Sequence, residues 1–373
     1  MDKKIMVTQS SMPLFEDYCE EIKKIWDNRW LTNMGPIHNE FREKLIEYTE
    51  SDNVELFVNG HQALVNAYKS LEIKGEVITT SFTFASTVNA IVEAGLTPVF
   101  CDINLKDYTI DTDKIESLIT KETCAIAPVH VYGIVCDIEK IRHIAEKYNL
   151  KVIYDAAHAF GVKYKNKGIA SYGDVTMFSF HATKVFNTIE GGCLCYKDKG
   201  LTQKIIENRN FGLTKGGEDV EICGSNAKMN EFQAAMGICN LKGLKMAIEK
   251  RKKISEEYDY LLKDTKGIKL MPVQNDVEKN YAYYPIVVDP EAYLMTRDEL
   301  CQILNENNIF PRKYFYPALN ETTAYRGKYK GETPNARNLA ENVLCLPIYE
   351  NLELKDIQRI CSIINNKGIG NRL

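Results

Sequence analysis

The chain has 373 residues, of which 45% are hydrophobic, and a formal net charge of -4 at pH 7. This length is enough to bury a full core, and one large α/β domain with a smaller companion fits it as well as two or three domains do. Because acidic and basic residues are interspersed, no basic stripe exists of the kind that binds nucleic acid or anionic membranes, and we expect neither partner.

The cysteines and the amino terminus indicate the compartment. The eleven cysteines stand singly in apolar stretches apart from Cys193-Leu-Cys195, where no second pair or nearby histidine completes a zinc set, so we expect no metal site. No apolar run precedes Ser10 to act as a signal peptide, and no stretch is long and apolar enough to span a bilayer. Free thiols without an export signal predict a cytoplasmic protein.

Strand and helix patterns alternate from Glu16 to about Leu201, which predicts a mostly parallel sheet covered by helices. In chain order, the patterns predict helices over 16–30 and 37–48, a strand over 54–58, a helix over 62–71, a strand over 76–79, a helix over 86–94, a strand over 97–101, a helix over 112–119, a strand over 123–128, a helix over 138–148, and strands over 151–154, 175–179 and 192–196. In open sheets of this kind, ligands bind at the carboxyl ends of the strands.

The pattern changes after Phe211. Residues 214–225 read as a polar loop, residues 229–271 contain long helices, residues 281–288 alternate as a strand, and helices are predicted over 297–307 and 354–366. The basic run over 250–253 indicates a solvated helix face, because the surrounding segment is also rich in acids. We expect a large domain over residues 1–250 and a smaller α/β domain over residues 251–373.

The most informative chemistry lies where two predicted strands end. Asp155 leaves one apolar strand, and Ser179 and Lys184 follow another, with Gly191-Gly192 beyond them. A lysine, an aspartate and nearby hydroxyls are the groups that hold pyridoxal 5'-phosphate (PLP). The lysine forms a Schiff base with the aldehyde, the aspartate keeps the pyridine nitrogen protonated, and hydroxyls with backbone amides bind the phosphate. The sequence therefore predicts a PLP enzyme with Lys184 and Asp155 as catalytic residues.

Further positions are candidates for holding the cofactor. They are the helix start Gly60-His61-Gln62, Phe84, His158 and Ser179. Free amides at a helix start bind anions, an aromatic ring stacks on the cofactor ring, a histidine contacts the ring hydroxyl, and a serine donates to the phosphate. Simpler interpretations remain open: a generic strand-glycine-helix turn, core packing for Phe84, a core histidine, a helix cap for Asp155 and a surface charge for Lys184.

The chain resembles the PLP-dependent sugar-nucleotide aminotransferases of the DegT/DnrJ/StrS group, which have the aspartate aminotransferase fold (fold type I). The likeness runs from residue 30 to residue 317. Its most specific motifs are Ala127-Pro-Val-His-Val-Tyr-Gly133, Asp155-Ala-Ala-His158, Ser179-Phe-His-Ala-Thr-Lys184 and Gly191-Gly192. The resemblance implies an α/β fold with a mostly parallel central sheet, and a homodimer whose two active sites share residues.

The resemblance also implies roles for the matched residues. Lys184 corresponds to the Schiff-base residue and proton shuttle, Asp155 to the partner of the pyridine nitrogen, and Phe84 to the aromatic residue that covers the ring. His158 stands where a glutamine usually contacts the ring hydroxyl, and Ser179 matches a phosphate ligand.

Other matched residues concern the second subunit and the substrate. Asn226 matches an asparagine that reaches the phosphate of the neighbouring subunit, and Lys228, in the substrate region, stands where an arginine is frequent. Arg312 and Tyr316 match the region near the substrate, with a surface salt bridge as the alternative for Arg312. The chain departs from the family at the phosphate turn, where Ser-Gly-Thr-Ala-Ala-Leu is replaced by Asn-Gly-His-Gln-Ala-Leu over residues 59–64. A threonine hydroxyl is lost there, so binding depends on backbone amides or His61.

Within the family, the two motifs are most similar to those of enzymes that aminate the 4-position of dTDP-4-keto-6-deoxyglucose with L-glutamate as donor. The product, dTDP-4-amino-4,6-dideoxyglucose, is a precursor of surface glycans such as the lipopolysaccharide O-antigen. Two alternatives stay open: 3-amination of a dTDP-3-keto-6-deoxyhexose, and a non-catalytic regulator that binds PLP. Lys184 disfavours a sugar 3-dehydratase, in which histidine replaces the lysine, and residues 58–63 lack the Gly-x-Gly-x-x-Gly of a nicotinamide-dependent dehydrogenase.

Overall fold

The computed structural model describes residues 3–366, in which strands and helices alternate along the first half of the chain. The strands are β1 (Ile5–Met6), β2 (Asn53–Phe57), β3 (Glu76–Thr80), β4 (Thr97–Cys101), β5 (Thr123–Ala127), β6 (Lys151–Asp155), β7 (Lys163–Tyr164), β8 (Lys167–Gly168), β9 (Val175–Ser179), β10 (Gly192–Tyr196), β11 (Ile268–Lys269), β12 (Val277–Glu278), β13 (Tyr284–Val288), β14 (Ile309–Phe310) and β15 (Val343–Leu346). The helices are α1 (Phe15–Asn28), α2 (Pro36–Thr49), α3 (Gly60–Ser70), α4 (Ala85–Glu93), α5 (Thr112–Leu118), α6 (Ile138–Tyr148), α7 (Thr202–Arg209), α8 (Glu231–Leu262), α9 (Pro290–Tyr293), α10 (Arg297–Glu306), α11 (Pro334–Asn342) and α12 (Leu354–Asn365).

A seven-stranded sheet forms the centre of the molecule, with strand order β2-β10-β9-β6-β5-β3-β4. Every neighbouring pair is parallel except the two pairs made by β10, which runs antiparallel to β2 and β9. The predicted mostly parallel sheet is therefore confirmed. Its strands are short apolar runs, as expected for a sheet that is covered on both faces.

Helices cover both faces of this sheet. On one face, α2, α5, α6 and α8 bury side chains such as Phe41 and Ile141 against the strands. On the other face, α3, α4 and α7 bury side chains such as Leu64, Ile91 and Ile205. The register of the antiparallel strand matters for the site, because Gly192 at its start is paired with Ser179 on one side and Phe57 on the other. The ends of β2, β9 and β6 consequently meet at one edge.

The carboxyl-terminal part of the chain forms a second layer built on α8. Strands β11, β13 and β15 form an antiparallel sheet, and the amino-terminal strand β1 pairs in parallel with β14 through Ile5 and Ile309. Ile5 is buried in the same apolar cluster as Tyr258, Leu300 and Ile360. The helix α8 is continuous through residue 250, and the division of the chain at that residue stays a prediction.

The prediction that residues 250–253 form a solvated helix face is wrong for Arg251. Lys250 and Lys253 are exposed, but Arg251 is only 1% exposed and donates from Nη1 to the carbonyl oxygen of Ile348 at 3.1 Å. Packing of α8 against the carboxyl-terminal segment buries this position.

None of the helices between residues 3 and 366 has the length and apolar composition that crossing a bilayer requires. Within the same residues, no group of three or more His, Cys, Asp or Glu side chains is arranged to hold a metal ion. Cys193 and Cys195 are free thiols buried in β10.

Candidate active site

Lys184 lies in the loop between β9 and β10, at the carboxyl edge of the sheet. Its Nζ donates a hydrogen bond to the hydroxyl of Tyr283 at 3.2 Å and lies 5.7 Å from the centroid of that ring. Burial lowers the pKa of Lys184 to about 8, although the charge of Asp155 opposes the shift. A lowered pKa leaves a larger fraction of the amine neutral near physiological pH, and the neutral amine is the form that attacks a carbonyl.

Asp155 ends β6 and is only 5% exposed. Its Oδ2 accepts a hydrogen bond from the hydroxyl of Thr87 at 2.7 Å, and its Oδ1 accepts one from the backbone amide of Ala157 at 3.0 Å. Burial raises the pKa of Asp155, while these hydrogen bonds and the charge of Lys184 favour the carboxylate. The alternative interpretation was that Asp155 caps a helix. A turn follows Asp155 and no helix begins there, so that alternative is wrong.

His158 is held by the backbone. Its Nδ1 accepts a hydrogen bond from the amide of Tyr132 at 2.9 Å, so in the neutral ring the hydrogen is on Nε2. Burial and the charge of Lys184 hold the pKa of His158 well below its usual range, which keeps the ring neutral. The ring lies 4.4 Å from that of Tyr283 and 5.7 Å from that of Phe315, centroid to centroid. His158 is therefore a fixed donor beside the lysine.

The first turn of α3 supplies unpaired amides. The side chain of Asn59 caps the helix by accepting a hydrogen bond from the amide of Gln62 at 2.8 Å. Among the described residues, the amides of Gly60 and His61 have no hydrogen-bond partner, as is usual at a helix start. Two donors are consequently available there for an anion.

Close packing of two glycines brings a serine to these amides. A Cβ at Gly60 would lie 2.8 Å from the Cβ of Ser179, and a Cβ at Gly192 would lie 2.7 Å from the Cα and nitrogen of Gly60. Real Cβ atoms essentially never come within 3.0 Å of such atoms, so a larger residue at either position would force the neighbouring chain to shift. The Cβ of Ser179 is thereby packed against the start of α3.

These groups line one cavity of about 550 Å³. Phe84 forms part of its wall; this ring is 61% exposed and lies 6.2 Å from the ring of Phe315, centroid to centroid. The volume falls within the range of about 300–1,000 Å³ that is usual for small-molecule sites. A lysine, a carboxylate, an aromatic ring and two free backbone amides thus converge on one space.

Comparison with models of known protein families identifies the family of this chain. A model described as the DegT/DnrJ/EryC1/StrS aminotransferase family matches residues 14–365. The chain belongs to this family. It is therefore an aminotransferase, and the fold predicted from the resemblance is confirmed.

Individual members of the family are similar along their full length. An Escherichia coli protein named dTDP-4-amino-4,6-dideoxy-D-glucose transaminase is 42% identical over 372 residues, covering 98% of this chain and 99% of that protein. The crystal structure of DesI in the presence of its TDP-sugar product superposes with a TM-score of 0.94 at 30% identity, covering 99% of this chain and 95% of that chain. Helicobacter pylori PseC, an aminotransferase involved in the biosynthesis of pseudoaminic acid, gives a TM-score of 0.91 at 26% identity, covering 98% of this chain and 99% of that chain.

Aminotransferases of this family use PLP, and the cavity fits that cofactor. The exposed aromatic ring of Phe84 in the cavity wall suits a planar ring system, and the buried carboxylate of Asp155 suits a protonated pyridine nitrogen. The amine of Lys184, with its lowered pKa, suits an aldehyde, and the free amides beside Ser179 suit a phosphate.

The structure brings together most of the predicted cofactor residues, although it separates some others from the cavity. Seven line it: Gly60, His61, Phe84, Asp155, His158, Ser179 and Lys184. Five do not line it: Gln62, Asn226, Lys228, Arg312 and Tyr316. The roles of all twelve stay predictions.

The five residues outside the cavity have other contacts in a single chain. The Oε1 of Gln62 accepts a hydrogen bond from Ser225 at 3.2 Å. Asn226 is exposed and accepts one from the Nζ of Lys228 at 2.8 Å. Arg312 is exposed and pairs through its backbone with Cys345, while the ring of Tyr316, 49% exposed, lies 4.7 Å from the guanidinium of Arg297.

Several residues of the site were not predicted from the sequence: Thr87, Ser86, Tyr283, Tyr314 and Phe315. Thr87 lies four residues after Thr83, but Thr83 precedes the predicted helix over 86–94, so helical spacing does not relate the two residues. In the structure their hydroxyl oxygens are 2.8 Å apart. Tyr283 and Phe315 come from segments far along the chain, where no local pattern indicates a site.

Proposed function

We propose that this chain is a PLP-dependent aminotransferase that transfers the amino group of L-glutamate to the 4-keto carbon of dTDP-4-keto-6-deoxy-D-glucose, giving dTDP-4-amino-4,6-dideoxy-D-glucose. The observation that carries the proposal is Lys184, an enclosed amine with a pKa of about 8 in the same cavity as Asp155. The substrate is supported by the 42% identity to the Escherichia coli transaminase over nearly all of both chains.

In this proposal Lys184 would hold the cofactor through its aldehyde and would move the proton of the reacting carbon. When bound, PLP supplies an electron-accepting ring that stabilises negative charge on that carbon. Asp155, held by Thr87 and Ala157, keeps the ring nitrogen protonated. As a free amine, Lys184 has a lowered pKa that would make it a competent base near neutral pH.

We assign the phosphate to the start of α3. Support comes from the free amides of Gly60 and His61 and from Ser179, whose Cβ packs closely against Gly60. His158 would donate to the ring hydroxyl from Nε2, because the amide of Tyr132 occupies its Nδ1. Phe84, in the cavity wall, would cover one face of the ring. The backbone amide of Gln62 contributes little to phosphate binding in this proposal, because it already donates a hydrogen bond to the side chain of Asn59.

We propose a homodimer in which Asn226 reaches the phosphate of the partner subunit. The support is that Asn226 is exposed and lies outside the cavity of its own chain. Asn226 lies at the end of a hairpin-like segment in which Leu213 and Val220 form an antiparallel bridge. This segment is exposed at Val220, whose side chain is 58% exposed. Lys228, which donates to Asn226, would lie near the same boundary and bind the substrate.

The remaining substrate contacts are assigned to Arg312 and Tyr316, near the cavity residues Tyr314 and Phe315 in the sequence. Arg312 is exposed, which leaves its guanidinium accessible to the diphosphate of a sugar nucleotide. Free cysteines throughout the described chain support a cytoplasmic location. The product would serve surface glycan synthesis, including that of lipopolysaccharide O-antigen.

Incubation of the purified protein with L-glutamate and dTDP-4-keto-6-deoxy-D-glucose, followed by NMR of the product, tests the reaction. We expect the amine at carbon 4 and 2-oxoglutarate as co-product. The 3-keto isomer is the parallel substrate, and amination of that isomer alone would overturn the proposed position. If the isolated protein binds PLP but never exchanges an amino group with glutamate, a non-catalytic regulator is the better description.

Mixing two inactive variants tests the shared site. If Asn226 acts in the partner's site, a hybrid of Lys184→Ala and Asn226→Ala subunits contains one intact site, because the intact lysine and the intact asparagine then meet. Remixing after mild dissociation should therefore restore activity that neither variant shows alone. No gain on mixing, with hybrid formation verified by mass spectrometry, would place Asn226 outside the neighbouring site.

A further inference from the structure

His61, the residue that replaces a threonine in the family's phosphate turn, connects two side chains of α4. Its Nδ1 lies 3.0 Å from the hydroxyl oxygen of Ser86, and its Nε2 lies 3.0 Å from Oε2 of Glu93. Ser86 and Glu93 are seven residues apart, so they share one face of the helix. His61 and Ser86 line the cavity, whereas Glu93 is exposed outside it.

The hydrogen atoms in this chain of contacts can be arranged in two ways. An ionised Glu93 only accepts, so the hydrogen on Nε2 of His61 points to it. If Nδ1 carries no hydrogen, the hydroxyl of Ser86 must donate to it, and Ser86 then presents only lone pairs elsewhere. If Nδ1 also carries a hydrogen, it donates to Ser86, and the hydroxyl hydrogen of Ser86 is free to donate to another acceptor.

An anion in the cavity favours the second arrangement. It gains a hydrogen bond from Ser86 and a positive imidazolium behind that hydroxyl, while the carboxylate of Glu93 balances the imidazolium from the other side. Ser86 also lies in the first turn of α4, where the helix dipole adds to the attraction for negative charge. The free amides of Gly60 and His61 border the same cavity.

We propose that Ser86 is a ligand of the cofactor phosphate and that the Glu93–His61 pair orients its hydroxyl toward that group. This inference rests on the phosphate position assigned under the proposed function. It also accounts for the departure in the phosphate turn: the hydroxyl lost at position 61 is replaced by one from α4, and the histidine acts through Ser86.

Equilibrium binding of cofactor to the full-length apoenzyme tests the assignment without reference to turnover. We compare PLP with pyridoxal, which has the aldehyde and the ring but no phosphate. Loss of one hydrogen bond to a charged group should weaken PLP binding about tenfold in Ser86→Ala. Affinity for pyridoxal should not change. Ser117→Ala is the matched control, because Ser117 is an exposed helical serine on α5 that donates to the carbonyl of Lys114.

A double-variant cycle tests whether His61 acts through Ser86. His61→Ala keeps the backbone amide and loses the ring, and we expect PLP affinity to fall about as far as in Ser86→Ala. The Ser86→Ala/His61→Ala protein should then bind PLP no more weakly than either single variant. Glu93→Gln should weaken binding by a smaller factor, since the amide oxygen still accepts from Nε2 but carries no charge. Glu116→Gln, at an exposed glutamate paired with Lys147, should bind normally.

Three outcomes would overturn the inference. They are unchanged PLP affinity in Ser86→Ala, equal losses for PLP and pyridoxal, and fully additive losses in the double variant, which would mean that His61 contacts the phosphate by itself. Failure of the cofactor site assigned under the proposed function is distinguishable from all three. In that case wild-type protein and Lys184→Ala would bind PLP equally, whereas failure of this inference alone leaves cofactor binding dependent on Lys184.

Discussion

Replacement of Lys184 by methionine should stabilise the protein in the absence of cofactor. Burial lowers the pKa of this lysine from 10.5 to about 8. The difference between these values corresponds to an unfavourable contribution of about 3 kcal/mol to the free energy of unfolding at pH 7. Methionine has a similar length and no charge, so it removes this contribution while filling the same space.

The sign of the pH dependence follows from which state binds more protons. Because the folded pKa lies below the unfolded one, the unfolded chain holds the additional proton between pH 8 and pH 10.5. Wild-type stability therefore rises with pH in that interval, relative to the variant. Integration leaves about 1.5 kcal/mol of the unfavourable contribution at pH 9.5. Loss of the hydrogen bond from Lys184 to Tyr283 costs about 1 kcal/mol at either pH.

The net expectation is a variant more stable than wild type by about 2 kcal/mol at pH 7 and nearly equal to it at pH 9.5. Urea unfolding of the two apoproteins at one fixed subunit concentration measures this difference. Lys121→Met is the control, since the side chain of Lys121 is 91% exposed and should give no pH-dependent difference. A variant less stable than wild type at pH 7, or a difference that does not change with pH, would refute the reasoning.

Two further substitutions test the supports of the site. Thr87→Val removes the hydroxyl that donates to Asp155, so the half-reaction with glutamate, followed by stopped-flow absorbance, should slow about tenfold with cofactor still bound; an unchanged rate would show that the carboxylate does not need this donor. Gly192→Ala should destabilise the fold by about 1–3 kcal/mol in urea unfolding, because its Cβ would meet the backbone of Gly60 at 2.7 Å. The matched Gly243→Ala, in a helix with open space at its Cβ, should stabilise by about 0.5–1 kcal/mol; equal effects of the two changes would contradict the packing argument.

The strands of the central sheet were predictable because each is a run of five residues, rich in apolar or β-branched side chains, bounded by turn signals. β6 and β9 began and ended within one residue of their predicted limits. The two-residue strands were not predictable. β1 exists because Ile5 and Met6 pair with Ile309 and Phe310 at the far end of the chain, and no local pattern contains that information.

The residues of the candidate site also fall into those that the sequence predicted and those that it did not. That Lys184 and Asp155 lie close together was predictable because both follow strands, and the topology brings the ends of neighbouring strands to one cavity. Tyr283, which accepts the hydrogen bond from Lys184, precedes β13 in another sheet. Arg251 shows the converse: it belongs to a charged run whose sequence indicates solvent exposure, but its side chain is buried and donates to a carbonyl of the carboxyl-terminal segment.

The electrostatics of Lys184 and Asp155 also indicate why this cavity requires a cofactor. Burial moves both pKa values toward the neutral forms, raising that of Asp155 and lowering that of Lys184, and each charge only partly offsets the burial of the other. A ligand with a cationic ring nitrogen gives the carboxylate a close partner, and an aldehyde consumes the amine that is costly to keep charged. The same burial that destabilises the apoprotein should therefore strengthen binding of PLP, and the two effects should disappear together in Lys184→Met.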